Sequence, residues 1–158
     1  MQLTVTALVT TLSLTLLSAC STKPNHEVSS ASAVLPPSVK WQTQSKEYPL
    51  ITRAIYRDAA LQLMQRELPT NWVVVMDVDE TVLDNSGYQA MLSQSGQSYS
   101  TASWNQWVKS KQAKLVPGAS DFITSVVSAG GKVALVTNRN KQLDSYTWQN
   151  LEAMGLPI

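Results

Sequence analysis

Trp72-Val73-Val74-Val75-Met76-Asp77-Val78-Asp79-Glu80-Thr81 is the stretch that decides the fold. Its first half is an unbroken apolar run with no alternation, which is how a parallel strand buried on both faces reads, and it ends on an acid. Upstream, the spacing predicts an amphipathic helix over Glu47 to Leu68, with Ile51, Ala54, Ile55, Ala59, Leu61, Leu63 and Met64 on its apolar face and Pro69 as its stop. Downstream, Pro117-Gly118-Ala119 opens a helix through about Ser128, and Gly130-Gly131 closes it. Lys132-Val133-Ala134-Leu135-Val136 is then a second buried-type strand, running into Thr137-Asn138-Arg139. Gln142 to Met154 is a last helix, stopped by Gly155 and Pro157.

Strand, crossover, helix, strand predicts an α/β fold with a parallel sheet. Ligands of such sheets bind outside the carboxyl ends of the strands, where Asp77 and Thr137 both fall. Residues 86–116, aromatic and rich in Ser and Gln, read as a small helical insertion over that edge.

The chain has 158 residues and a net charge of +1, which implies about one domain. No block of like charges forms a basic arm, so nucleic-acid binding is not expected. One Cys and one His exclude a disulfide framework and any multi-cysteine or multi-histidine metal cluster within the chain, so a metal here is bound by oxygen.

Residues 1–19 carry no Lys, Arg, Asp or Glu and read as an export signal. The apolar run from Leu3 to Ala19 falls short of the roughly 20 residues that span a bilayer. It closes on Leu17-Ser18-Ala19-Cys20, which resembles the bacterial lipobox. Cys20 is then the lipidated mature N-terminus and tethers the protein to the cell envelope. Ser21 after it, in place of a retention Asp, implies the outer membrane. Residues 20–46, with Pro36-Pro37 and many Ser, Lys and Asn, read as a flexible tether in which His26 is solvated. Residues 47–158 remain as the folded body.

Asp77 and Asp79 are separated by one residue on a turn leaving a strand, so both carboxylates can aim at one point. Phosphoryl transfer needs such a pair. One carboxylate attacks phosphorus and ligates a hard cation such as Mg²⁺, while the other carries a proton for the leaving oxygen. Crowding two negative groups favours a proton on one of them, so the pair can divide these duties. The bland alternative is that both acids cap a loop or helix.

The flanks V-V-M-D-V-D-E-T-V-L-D-N-S-G-Y, then S-W-N-Q-W-V, V-P-G-A and K-V-A-L-V-T-N-R, resemble the outer-membrane lipoprotein e family of acid phosphatases and 5'-nucleotidases. That family belongs to the class B-like branch of the haloacid dehalogenase superfamily, whose fold is a Rossmannoid parallel sheet with a small helical cap. The resemblance implies that Asp77 is the nucleophile that becomes an aspartyl-phosphate. Asp79 is implied as general acid and then base, and Mg²⁺ as held by the Asp77 side chain and the Asp79 backbone carbonyl. Thr137 and Asn138 are implied to bind the transferring phosphoryl oxygens.

Arg139 contacts phosphate or forms an ion pair. Tyr99 and Trp104 fall where the family places aromatics over a nucleoside base, with core packing as the equal alternative. Trp107 reads as core, Glu80, Asp84 and Asn85 as turn-shaping residues, and Gly118 as a helix start.

The family continues beyond the position of Ile158 with two further strands, a phosphate-binding Lys and a late acidic motif. On that resemblance the chain is expected to be a fragment with little or no turnover of its own. The intact protein is expected to be a Mg²⁺-dependent hydrolase of small phosphate monoesters such as nucleotides. The alternative is a lipid-anchored protein that binds a nucleoside or haem without catalysis.

Overall fold

The computed structural model describes residues 34–157. The expected leader (1–19), Cys20, His26 and most of the expected tether therefore lie outside the described residues. The order of elements is α1 (Pro37–Gln44), α2 (Glu47–Met64), β1 (Val73–Asp77), β2 (Leu83–Asp84), α3 (Ser86–Ser95), α4 (Thr101–Ser110), β3 (Lys114–Leu115), α5 (Ala119–Ser128), β4 (Lys132–Val136) and α6 (Asp144–Ala153), the last entered through a 3-10 turn at Lys141–Leu143.

β1 and β4 pair in parallel, Val73 opposite Lys132 through Asp77 opposite Val136. A separate antiparallel pair, β2 with β3, brings Leu83 opposite Leu115 and so closes the base of the segment that carries α3 and α4. The architecture is α/β with a parallel sheet, as the helix–strand alternation predicts.

The glycine and proline punctuation sets the boundaries around β4. Gly118 adopts φ 97° immediately before α5 and Gly130 φ 81° immediately after it, conformations that disfavour any residue with a Cβ. Gly131 is needed for space instead. The Trp72 indole lies so close to it that an added Cβ would overlap the ring carbon Cη2.

Sequence expectations are corrected in three elements, α1, α2 and β1. Residues 37–44, assigned to the tether, form helix α1 with Pro37 at its first turn, where a missing N–H and a preset φ favour initiation. Val39 of α1 is buried, and Trp41 meets Tyr48 of α2 edge-on with ring centroids 5.1 Å apart. Helix α2 stops at Met64, short of Leu68, because Pro69 limits where a helix can end without requiring it to run that far.

The buried face of α2 also differs from the aliphatic stripe. Tyr48, Thr52, Tyr56, Ala60 and Leu63 turn inward, while Ile51, Ile55, Leu61 and Met64 are exposed. Tyr56 can face inward because its hydroxyl donates to the Thr81 carbonyl, which satisfies the polar tip of a largely apolar ring.

The third correction concerns β1. Trp72, Val74, Met76 and Val78 join the core with Tyr56, Ala60 and Leu63 of α2 and Phe122, Ile123 and Val126 of α5. Val73 and Val75, on the opposite face, are 49% and 66% exposed. An uninterrupted apolar run shows that a strand tolerates cover on both faces. It does not show that both are covered, and among the described residues only one is.

Replacing Gly131 with Ala should displace the Trp72 ring and lower stability by roughly 1–3 kcal/mol, the usual cost of overpacking. Urea denaturation measures it, and an unchanged midpoint would mean the indole has room to move.

Candidate functional site

Asp77 is the last residue of β1 and is exposed at the carboxyl end of the sheet. Its Oδ1 accepts from the Val78 N–H at 2.8 Å, which leaves the rest of the carboxylate facing outward. Parallel pairing sets Asp77 opposite Val136, so Thr137 and Asn138 leave the neighbouring strand at the same edge. Thr137 is half-buried with its Oγ1 accepting from the Arg139 N–H at 3.2 Å, and Asn138 is exposed.

The chain after Asp77 turns sharply. The Val78 carbonyl accepts from Val82 and Leu83 at 2.9 and 2.8 Å, and the Leu83 carbonyl accepts from Glu80 at 2.8 Å. Glu80 closes this turn in the left-handed region, φ 56°, at a cost of about 1–2 kcal/mol for a residue with a Cβ. Desolvation pushes the Glu80 carboxyl above its ordinary range although the residue as a whole is exposed. Hydrogen bonds from Asn85 act against that shift, and the charges of Asp79 and Asp84 add to it.

The turn delivers Asp79 to Arg139. Arg139 Nη2 donates to Asp79 Oδ1 at 2.6 Å, and Nε lies 3.1 Å from both carboxylate oxygens. The Arg139 side chain is 1% exposed and that of Asp79 17%. Arg139 Nη1 donates to Thr147 Oγ1 of α6 at 3.2 Å, Nη2 also reaches Asn85 Oδ1 at 3.4 Å, and the guanidinium carbon lies 5.5 Å from the centre of the Trp104 ring. Asn85 Nδ2 in turn donates to Asp79 Oδ1 at 2.8 Å.

The two acids thus occupy different environments, Asp77 open and Asp79 enclosed by donors. The structure sets Arg139, one of the residues read as a phosphate ligand, against a carboxylate. Trp104 lies over Arg139 and packs edge-on to Tyr88, with centroids 5.2 Å apart, while Tyr99 is 62% exposed. A cavity of about 380 Å³ opens beside the end of β4, lined by Thr137, Arg139, Lys141, Asp144, Thr147 and Trp148 together with apolar residues. Neither Asp77 nor Asp79 lines it.

Sequence reading did not foresee two participants. Asn85, read as turn-shaping, is 1% exposed and hydrogen-bonded to Asp79, Glu80, Trp107 and Arg139. Thr147 is buried on α6 against Arg139. A lone Asn or Thr carries no spacing signal. Only the fold brings them to the site.

Among the described residues no group of three or more His, Cys, Asp or Glu side chains is arranged to hold a metal. The donors at the β1 edge are all oxygens, the open Asp77 carboxylate foremost. That set suits a hard dication in its chemistry. No helix among the described residues is long and apolar enough to cross a membrane.

A parallel sheet with an acid at the carboxyl end of one strand and a hydroxyl residue leaving the next is the frame of a phosphate-handling α/β protein. Over residues 4–157 the chain matches the family model described as HAD superfamily, subfamily IIIB (Acid phosphatase). It is similar to the solved class C acid phosphatase from Bacillus anthracis, at 30% identity and TM-score 0.72 over 76% of this chain and 52% of that one. The crystal structure of a class C acid phosphatase from the same organism with tungstate bound matches at 30% identity and TM-score 0.71, with the same coverage. The chain spans about half the length of these solved proteins. It belongs to the acid phosphatases of the haloacid dehalogenase (HAD) superfamily, subfamily IIIB.

Replacing Arg139 with Met should cost about 3 kcal/mol, because it strands a largely enclosed carboxylate and leaves Thr147 without its donor. Lys should recover only part, having no planar fork to span both oxygens. Chemical denaturation of the two variants tests this, and equal stability for all three proteins would show the pair to be screened by solvent.

Proposed function

We propose that the protein carrying this sequence hydrolyses small phosphate monoesters, nucleotides among them, through a covalent intermediate on Asp77. The observation that carries this reading is the open Asp77 carboxylate at the carboxyl end of β1, beside Thr137, in a chain of the acid phosphatase family.

In the first half-reaction a free Asp77 oxygen attacks phosphorus and the ester P–O bond breaks. The leaving oxygen takes a proton from Asp79 and departs as the alcohol. In the second, water attacks the aspartyl-phosphate, Asp79 takes its proton, and the bond from phosphorus to Asp77 breaks to release phosphate and restore the carboxylate. Asp79 Oδ1 already accepts from Nη2 and Nε of Arg139 and from Asn85, whereas Oδ2 meets only Nε. Oδ2 is therefore the oxygen with capacity to carry the moving proton. Thr137 and Asn138, at the neighbouring strand end, would donate to the phosphoryl oxygens.

Asp77, with the Asp79 backbone carbonyl, is the set that would hold Mg²⁺, which when bound supplies positive charge against the phosphate oxygens. The protein is further proposed to be anchored to the outer membrane through lipidated Cys20.

From the intact protein, phosphate release from an aryl phosphate in the presence of Mg²⁺ is expected, and Asp77→Asn should reduce it by about 1,000-fold or more, as for loss of a nucleophile. Retained turnover in that variant sinks the mechanism. If the wild type releases no phosphate while a nucleoside quenches tryptophan fluorescence, non-catalytic binding replaces it.

A further inference from the structure

We propose that Trp107, in α4 of the insertion, is a positioning residue for the Asp79 carboxylate and acts through the amide of Asn85. The proposal rests on the reading of Asp79 as the proton-transfer group. Trp107 is hydrogen-bonded to neither aspartate. Its indole Nε1–H donates to Asn85 Oδ1 at 2.8 Å, and the same amide donates through Nδ2 to Asp79 Oδ1 at 2.8 Å.

The chemistry of the partners fixes which way this amide points. An indole N–H is a donor only, and so is a guanidinium, whereas an ionised carboxylate only accepts. Asn85 Oδ1 faces the first two, Trp107 and Arg139, and Nδ2 faces the carboxylates of Asp79 and Glu80. Turning the amide over would set an oxygen against Asp79 and an NH₂ group against two donors. With the indole N–H removed, the only side-chain donor left to Asn85 Oδ1 among the described residues is Arg139 Nη2 at 3.4 Å, too long to hold the amide firmly.

The indole is itself held. Trp107 is 8% exposed and Asn85 1%, so water cannot readily replace the bond between them. The ring lies against Gly87, where a Cβ would come within 3.0 Å of Trp107 Cη2, so the missing side chain at 87 makes the place for the indole. A reciprocal capping box between Ser100 and Ser103 fixes the start of α4 and with it the position of Trp107 one turn further on. The insertion thereby reaches the proton-transfer group through one buried amide.

Trp107→Phe keeps the ring and deletes the N–H. A loosened proton donor matters most when the departing alcohol is a poor leaving group. On an alkyl phosphate the kcat of the variant should fall about 10-fold with KM within about 2-fold, while on p-nitrophenyl phosphate kcat should fall less than about 3-fold. Equal losses on the two esters with an unchanged melting temperature would make Trp107 a core residue only, and overturn the proposal.

A second measurement does not depend on turnover. The indole ¹H–¹⁵N resonance of Trp107, assigned by its disappearance in Trp107→Phe, should shift in Asp79→Asn, because the change is relayed through Asn85. A resonance that stays in place in folded Asp79→Asn also overturns the proposal. Absence of turnover in the wild type on both esters with Mg²⁺ would defeat the phosphatase reading instead, and the resonance alone would then decide the positioning claim. If Trp107→Phe fails to fold, Asn85→Ala, which removes the relaying amide without adding a charge, should show the same leaving-group dependence. Its absence there counts equally against the proposal.

Discussion

The ion pair between Arg139 and Asp79 is the constraint on which the arrangement of the site depends. A guanidinium whose side chain is 1% exposed has lost its hydration, a loss worth several kcal/mol unless charge and hydrogen bonds replace it. The fold replaces it from four directions: Asp79 from the turn after β1, Asn85 from the start of the insertion, Thr147 from α6 and the Trp104 ring from α4. Parallel pairing of β1 with β4 makes this meeting possible, because it brings the loop after each strand to the same edge of the sheet. Each neighbour is thus oriented by a charge that cannot be left alone.

One consequence is that two acids of the same type sit in contrasting surroundings. Asp77 is exposed and has one hydrogen bond, from the next residue's N–H. Asp79 is enclosed and accepts from both Arg139 and Asn85. Carboxylates placed in contrasting environments can take opposite roles in proton and phosphoryl transfer, and here position in the fold creates the contrast. The simpler argument, that two neighbouring negative charges push a proton onto one of them, leaves out the cation supplied from beyond β4.

The elements flanked by glycine were legible from sequence alone. Helix α5 and strand β4 fall where Gly118, Gly130 and Gly131 mark them, because those positions need a left-handed backbone or space for Trp72 that other residues cannot give. Helix α1 was not legible. Its Ser, Lys and Gln content resembles a linker, and the proline that suggested extended chain stands at a helix's first turn, where proline is favoured. The face of α2 was misjudged because aliphatic side chains were counted and tyrosine was not. Tyr56 turns inward once a carbonyl receives its hydroxyl, and that carbonyl belongs to Thr81, in another part of the chain. The acids and Thr137 could be found because a strand end announces them. The network around Asp79 and Arg139 could not, since Asn85, Thr147 and Trp107 enter it only through distances that the fold creates.

The same network bears on how the insertion meets a ligand. Trp104 is half-buried, with Arg139 over its ring and Tyr88 against it edge-on. A planar base stacking on the ring face that holds the guanidinium would have to displace a cation already committed to Asp79. Tyr99, mostly exposed and meeting Tyr88 edge-on at 6.5 Å, carries no such commitment and is the freer of the two rings. If both aromatics contact a ligand, Tyr99 can adapt to it, whereas Trp104 holds its orientation because the guanidinium paired with Asp79 also lies over its ring.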